Sequence, residues 1–87
     1  MDERRLDGNA IGGVLHEIFA LEMTTAQSTC ASCGAVNEMG RVHVYVHAPG
    51  TVVRCPACEA VLMRVVRGKG RYWVDLTGVR SLELAEA

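Results

Sequence analysis

Two short segments, Cys30-Ala31-Ser32-Cys33-Gly34 and Cys55-Pro56-Ala57-Cys58, place the four cysteines of the chain in the pattern C-x2-C-x21-C-x2-C. A gap of two residues lets both sulfurs of a pair turn toward one point, and two such pairs supply a tetrahedron of thiolates for a divalent ion, with Zn–S distances of about 2.3 Å. Four thiolates around Zn²⁺ leave the site with a net negative charge and no open position for water or substrate. Such a closed shell holds structure and does not catalyse. Gly34 suits the first turn because the residue after a metal-binding turn often takes positive φ, and Pro56 suits the second because its φ is already set. Glu59 stands where the second turn calls for glycine. Either the chain leaves that turn by another route or Glu59 accepts a strain of about 1 kcal/mol.

Other chemistries compete for the same cysteines. After Met1 the chain reads Asp2-Glu3-Arg4-Arg5, with no apolar core of a secretory signal, and no apolar run approaches the ~20 residues that span a membrane. A cytoplasmic chain without membrane contact is expected, and a reducing compartment disfavours two disulfides. A redox pair of the thioredoxin type needs a helix after the cysteines, whereas β-forming sequence flanks both pairs here. Iron is the rival to zinc. The run C-x2-C-G followed by C-P-x-C also resembles the ligand turns of rubredoxin, which implies a one-iron electron carrier. This chain has one Phe, one Trp and two Tyr, and so lacks rubredoxin's aromatic cluster near the metal.

The elements that must position these sulfurs belong to one small unit. A chain of 87 residues buries only about two thirds of the surface its unfolded form exposes, so a bound metal would supply what the core cannot. Leu6, Ile11, Val14, Leu15, Ile18 and Phe19 recur at spacings of three and four, while His16, Glu17 and Ala20 fall opposite. This predicts an amphipathic helix within segment 1–23, capped by Asp7 or Asn9 and ending near Leu21. Gly12 and Gly13 each cost roughly 1 kcal/mol inside it, so the helix must dock on something. Residues 24–87 then form the β domain. The polar run 24–29 reads as extended chain. Val42, Val44 and Val46 alternate with His43, Tyr45 and His47 as a half-buried strand, and Ala48-Pro49-Gly50 reads as a turn. Segments 60–67 and 71–76 form a hairpin around a three-residue loop, Gly68-Lys69-Gly70, with Arg67 opposite Arg71. That register predicts a core face of Leu62, Arg64, Val66, Tyr72, Val74 and Leu76, and an outer face that unites Arg67, Arg71 and Trp73. Leu82 and Leu84 suggest a short edge strand.

Nine Lys and Arg against ten Asp and Glu exclude a dedicated, strongly basic nucleic-acid binder. Any basic footprint is local. Arg54, Arg64, Arg67, Lys69 and Arg71 hold five of the nine cationic side chains within eighteen positions. With Trp73, the arginines 64, 67 and 71 could grip a phosphate backbone and stack on a base, or simply discourage edge aggregation. His43, Tyr45 and His47 read as a solvated sheet face. Two histidines at i and i+4 on a strand lie ~13 Å apart and cannot share one ion. No nucleophile–base set, phosphate loop or carboxylate pair is present, and an enzyme is not expected.

Leu6-Asp7-Gly8-Asn9-Ala10, the pair Cys30/Cys33, Ala48-Pro49-Gly50-Thr51-Val52, Arg54-Cys55-Pro56 and Gly78-Val79-Arg80-Ser81-Leu82 together resemble a family of short, uncharacterised actinobacterial proteins with four cysteines. That resemblance spans nearly the whole chain and implies no activity. From Thr29 to about Leu76 the sequence is also similar to zinc ribbons, which implies a small metal-stabilised α+β fold, with four or five antiparallel strands as β-hairpins and the N-terminal helix laid on them or on a second copy. The expected role is a noncatalytic structural-zinc module, an adaptor or accessory protein for another protein, with a homodimer through the helix as one arrangement. RNA or single-stranded DNA binding and iron-based electron transfer are the alternatives.

Overall fold

A computed structural model describes residues 5–47 and 50–85. The elements are β1 (Arg5–Asp7), a 3₁₀ helix (Gly8–Ile11), α1 (Gly12–Phe19), β2 (Gln27–Cys30), β3 (Val36–Glu38), β4 (His43–His47), β5 (Gly50–Arg54), β6 (Val61–Gly68), β7 (Arg71–Asp75) and β8 (Val79–Glu83). A five-stranded sheet runs β1-β4-β5-β6-β7 and a three-stranded sheet runs β3-β2-β8. Every strand pair is antiparallel. The fold is small α+β, with one short α-helix among the described residues, and its eight described strands exceed the four or five expected. The turn expected at Ala48-Pro49-Gly50 lies outside the described residues except for Gly50. No helix among the described residues is long and apolar enough to cross a membrane.

The helix is shorter than its apolar period suggests. Leu6, counted in the stripe, sits in β1 opposite Val44 and is exposed. The Asp7 side chain accepts the Asn9 N–H, which caps the 3₁₀ helix and not α1. Gly12 and Gly13 open α1, and Ala20 closes it in the left-handed region at φ 58°, its N–H donating to the His16 carbonyl. Tertiary packing outweighs this weak propensity. Ile11 and Leu15 are buried, and Val14, Ile18 and Phe19 pack half-buried against the same core. The stripe therefore docks on its own chain, and the described part of segment 1–23 shares a sheet and a core with the segment that follows.

One core joins the two sheets. It runs from Ile11 and Leu15 through Met23, Ala26, Met39, Val42, Val44 and Val53 to Met63 and Val65, and it includes Cys30 and Cys55.

The β6–β7 hairpin corrects the expected register. Gly68 pairs with Arg71 and Arg67 with Tyr72, so the loop is the two residues Lys69 and Gly70, at φ 53° and 72°. Positive φ at both centres marks the primed turn whose twist matches the strands. The one-residue slip regroups the faces. Met63, Val65, Tyr72, Val74 and Leu76 face the core with Arg67, whereas Arg64, Val66, Arg71, Trp73 and Asp75 face outward. Leu62 is buried at the start of β6, where the Leu62 carbonyl accepts the Gly78 N–H at 3.2 Å. Because Lys69 occupies a position that favours Asn, Lys69→Asn is expected to raise stability by about 0.5 kcal/mol in thermal unfolding.

Candidate metal centre

Each cysteine pair sits at the mouth of a hairpin. Cys30 ends β2 and Cys33 lies in the turn to β3; Cys55 follows β5 and Cys58 lies in the turn to β6. The two turns share one hydrogen-bond plan. In the first, the Cys30 N–H donates to Ala35 O and the Gly34 N–H to Cys30 O, both at 2.9 Å. In the second, the Cys55 N–H donates to Ala60 O at 2.9 Å and the Glu59 N–H to Cys55 O at 2.8 Å. Gly34 at φ 79° and Glu59 at φ 64° occupy equivalent left-handed positions. The chain thus leaves both turns by the same route, and Glu59 accepts the strain.

Neighbours hold Glu59 there. Its carboxylate meets His43 Nδ1 at 2.6 Å and accepts the Tyr45 hydroxyl at 3.3 Å, and its carbonyl accepts Arg54 Nη1 at 2.8 Å. These bonds offset the roughly 1 kcal/mol of the left-handed conformation. The sequence carried a signal for this support, a glutamate in a glycine position near His43 and Tyr45, but only the β4–β5 pairing brings the three together.

The four sulfurs converge. Cys30 Sγ lies 3.8 Å from Cys58 Sγ, Cys33 Sγ lies 3.7 Å from Cys55 Sγ, and all four lie within 4.8 Å of one another. A tetrahedron with 2.3 Å metal–sulfur bonds has edges of about 3.8 Å. The four cysteines are positioned to bind one metal ion. Cys30 and Cys55 are buried, whereas Cys33 and Cys58 face solvent.

A bound cation would complete the electrostatics of the site. The backbone N–H groups of Cys33 and Ser32 point at Cys30 Sγ at 3.5 and 3.4 Å and, against burial, lower its thiol to about 7. The Ala35 N–H pulls Cys33 down, but partial desolvation on the inner side of this exposed residue and the three neighbouring sulfurs push it up to about 11. Four bare thiolates at this separation repel, and a divalent ion removes that repulsion. The metal-bound chain carries fewer protons than the metal-free chain, so acid favours release. Metal affinity is expected to fall at least about tenfold per pH unit from pH 8 downward, one proton coming from Cys33, and more steeply below 7 as Cys30 protonates. Competition with a chromophoric chelator at several pH values measures the slope.

The remaining sequence candidates divide between two faces. Arg64, Arg71 and Trp73 share the outer face of the five-stranded sheet, with Asp75 directly opposite Arg64. Arg67 lies on the other face, its guanidinium 5.5 Å from the Tyr72 ring centroid. The expected union of Arg67 with Arg71 and Trp73 does not form, for the register reason given above. His43, Tyr45 and His47 continue the outer face through β4. Among the described residues only the four cysteines gather three or more metal-ligating side chains.

The family of unknown function DUF6510 matches the chain over residues 1–87. The chain belongs to that family. No curated protein and no solved structure matches it. For this DUF6510 member the four-sulfur cluster, with its paired turns, is therefore the main evidence of chemistry.

Proposed function

We propose that the chain is a noncatalytic zinc-ribbon module in which one structural Zn²⁺, bound by Cys30, Cys33, Cys55 and Cys58, clamps two hairpins and presents a sheet face to another protein. The observation that carries this reading is the cluster of four sulfurs within 4.8 Å of one another. An all-thiolate tetrahedron suits zinc or iron. Zinc is favoured because the chain lacks the aromatic cluster of the rubredoxin pattern. A shell of four protein ligands gives the ion no substrate position, so its work is to hold the β2–β3 and β5–β6 turns together. The surface left for a partner is the outer face, where Trp73 is 54% exposed and Val66 39%. An adaptor or accessory role follows from that combination of rigid scaffold and exposed aromatic anchor. Elemental analysis and a visible spectrum of the purified protein test it. One zinc per chain in a colourless solution supports the proposal, and a red iron-loaded protein overturns it in favour of electron transfer.

A second reading has one observation behind it. Arg64, Arg71 and Trp73 share a face with Arg54 and Tyr45, the mixture of cations and rings that binds single-stranded RNA or DNA. Asp75 and Glu59 interrupt that face. Binding to an oligonucleotide that weakens steeply with salt would favour this reading.

A further inference from the structure

Strand β7 is an outer strand of the five-stranded sheet, with β6 on one side and no strand on the other among the described residues. Natural sheets blunt such edges with proline, bulges or inward-pointing charges. Here Arg71-Tyr72-Trp73-Val74-Asp75 contains no proline, and its pairing with β6 runs without a register shift. We infer that β7 is a self-association edge that pairs antiparallel with β7 of a second copy about a two-fold axis at Trp73.

The strand is chemically its own complement. That axis sets Arg71 against Asp75 of the second copy, Tyr72 against Val74, and Trp73 against Trp73. Opposite charges, an aromatic and a β-branched side chain, and two aromatic rings are the cross-strand pairs that stabilise sheets. The charges that would repel an arbitrary strand attract this one. Both Thr77 hydrogen bonds to Asp75 use Oδ1, which leaves Oδ2 for the incoming arginine.

Backbone parity agrees independently. In a hairpin closed by a two-residue turn the flanking residues, Gly68 and Arg71, form the first hydrogen-bonded pair, and bonded pairs then alternate. Trp73 and Asp75 therefore bond to β6, and the N–H and C=O groups of Tyr72 and Val74 point to the open edge. The Trp73 axis sets those two residues against each other, so outward groups meet outward groups. A slip of one residue breaks this match. A slip of two keeps it but sets Trp73 against Arg71 or Asp75. The same operation on β8, the other five-residue edge strand, sets Val79 against Glu83, so the complementarity is particular to β7. Joining two copies extends one sheet through both molecules and brings their exposed Trp73 and Val66 patches side by side.

This inference rests on the proposed reading of the chain as a protein-binding module and adds a second copy as a partner, met at the edge of the sheet and not on its outer face. Sedimentation velocity on the full metal-loaded chain, from about 10 to 500 µM because so short an edge implies modest affinity, tests it. The expected mass rises from 9.4 kDa toward twice that value, with a blue shift in the emission of the single tryptophan. Arg71→Asp and Asp75→Arg should each remain one chain alone, and an equimolar mixture of the two should restore the dimer, since each charge then meets its opposite. Val74→Pro, which removes an outward N–H and leaves the β6 ladder intact, should also stay monomeric. If Asp75→Arg does not fold, Arg71→Asp and Val74→Pro decide. A wild-type monomer at the highest concentration, or a dimer that survives Arg71→Asp and Val74→Pro, overturns the inference. Metal content measured on the same samples separates the two proposals: a zinc-loaded monomer removes only the dimer, and a metal-free folded chain removes the zinc module.

Discussion

Removal of the metal by a high-affinity chelator is expected to abolish the cooperative thermal transition and most of the sheet signal in circular dichroism. The magnitudes decide this. Net stability of ~0.05–0.15 kcal/mol per residue gives a chain of 87 residues about 4–13 kcal/mol. Binding of a structural zinc supplies about 10–16 kcal/mol at neutral pH, as much as the whole margin or more. Position adds to magnitude. One cysteine pair closes the β2–β3 hairpin of the three-stranded sheet and the other closes the β5–β6 hairpin of the five-stranded sheet. A bound ion would therefore tie the two sheets at the point where Cys30 and Cys55 enter the common core. Without it, buried thiols and like charges remain within 4.8 Å of each other. Cys55→Ser should unfold the chain in the same way. A chelated protein with an unchanged melting temperature would show that the core alone suffices.

The second large effect is expected from Gly78→Ala. A Cβ on Gly78 would lie 1.8 Å from the Val61 carbonyl oxygen and 2.7 Å from the Leu62 Cα. Both are backbone atoms of β6 and cannot swing aside. Gly78 also donates its N–H to Leu62 and accepts the Ala31 N–H at 2.9 Å, and Ala31 lies between Cys30 and Cys33. Displacing Gly78 thus separates β8 from β6 and drags the first metal turn away from the second. The expected loss is ~3 kcal/mol, a fall of more than about 10 °C in melting temperature for a domain of this size, with weaker metal binding. Gly13→Ala is the contrast. Beyond its own helical backbone and chain neighbours, nothing lies within 4 Å of that Cβ position, and relief of a helical glycine should raise stability by up to about 1 kcal/mol.

The four-cysteine cluster was legible from the chain because its signal is local: two cysteines with two residues between them, the same spacing repeated, and a glycine at the left-handed exit of the first turn. The strand of alternating valines was legible in part for the same reason: Val44 is buried between the less buried His43 and Tyr45, but Val42 lies just before β4 and Val46 is exposed. What stayed hidden depends on partners distant in sequence. Nothing around Leu6 distinguishes the first turn of a helix from an edge strand until β4 is beside it. The β6–β7 register hung on one residue, whether Gly68 belongs to the loop or the strand, and that choice moved Arg67 away from Trp73. The Glu59 support needed His43 and Tyr45, sixteen and fourteen residues away. Gly8 and Gly78, within the segments that carried the family resemblance, show their reason only in the fold. Each lies where a Cβ would strike another segment's backbone, that of Met39 in the case of Gly8.

The central claim is that one ion sits at equal distances from Cys30, Cys33, Cys55 and Cys58, with no other ligand. X-ray absorption at the zinc edge of the purified protein reads that shell directly. The account predicts four sulfur scatterers at about 2.3 Å and no nitrogen or oxygen in the first shell. A shell that mixes sulfur with lighter atoms, or a folded protein that carries no zinc at this edge, would contradict it.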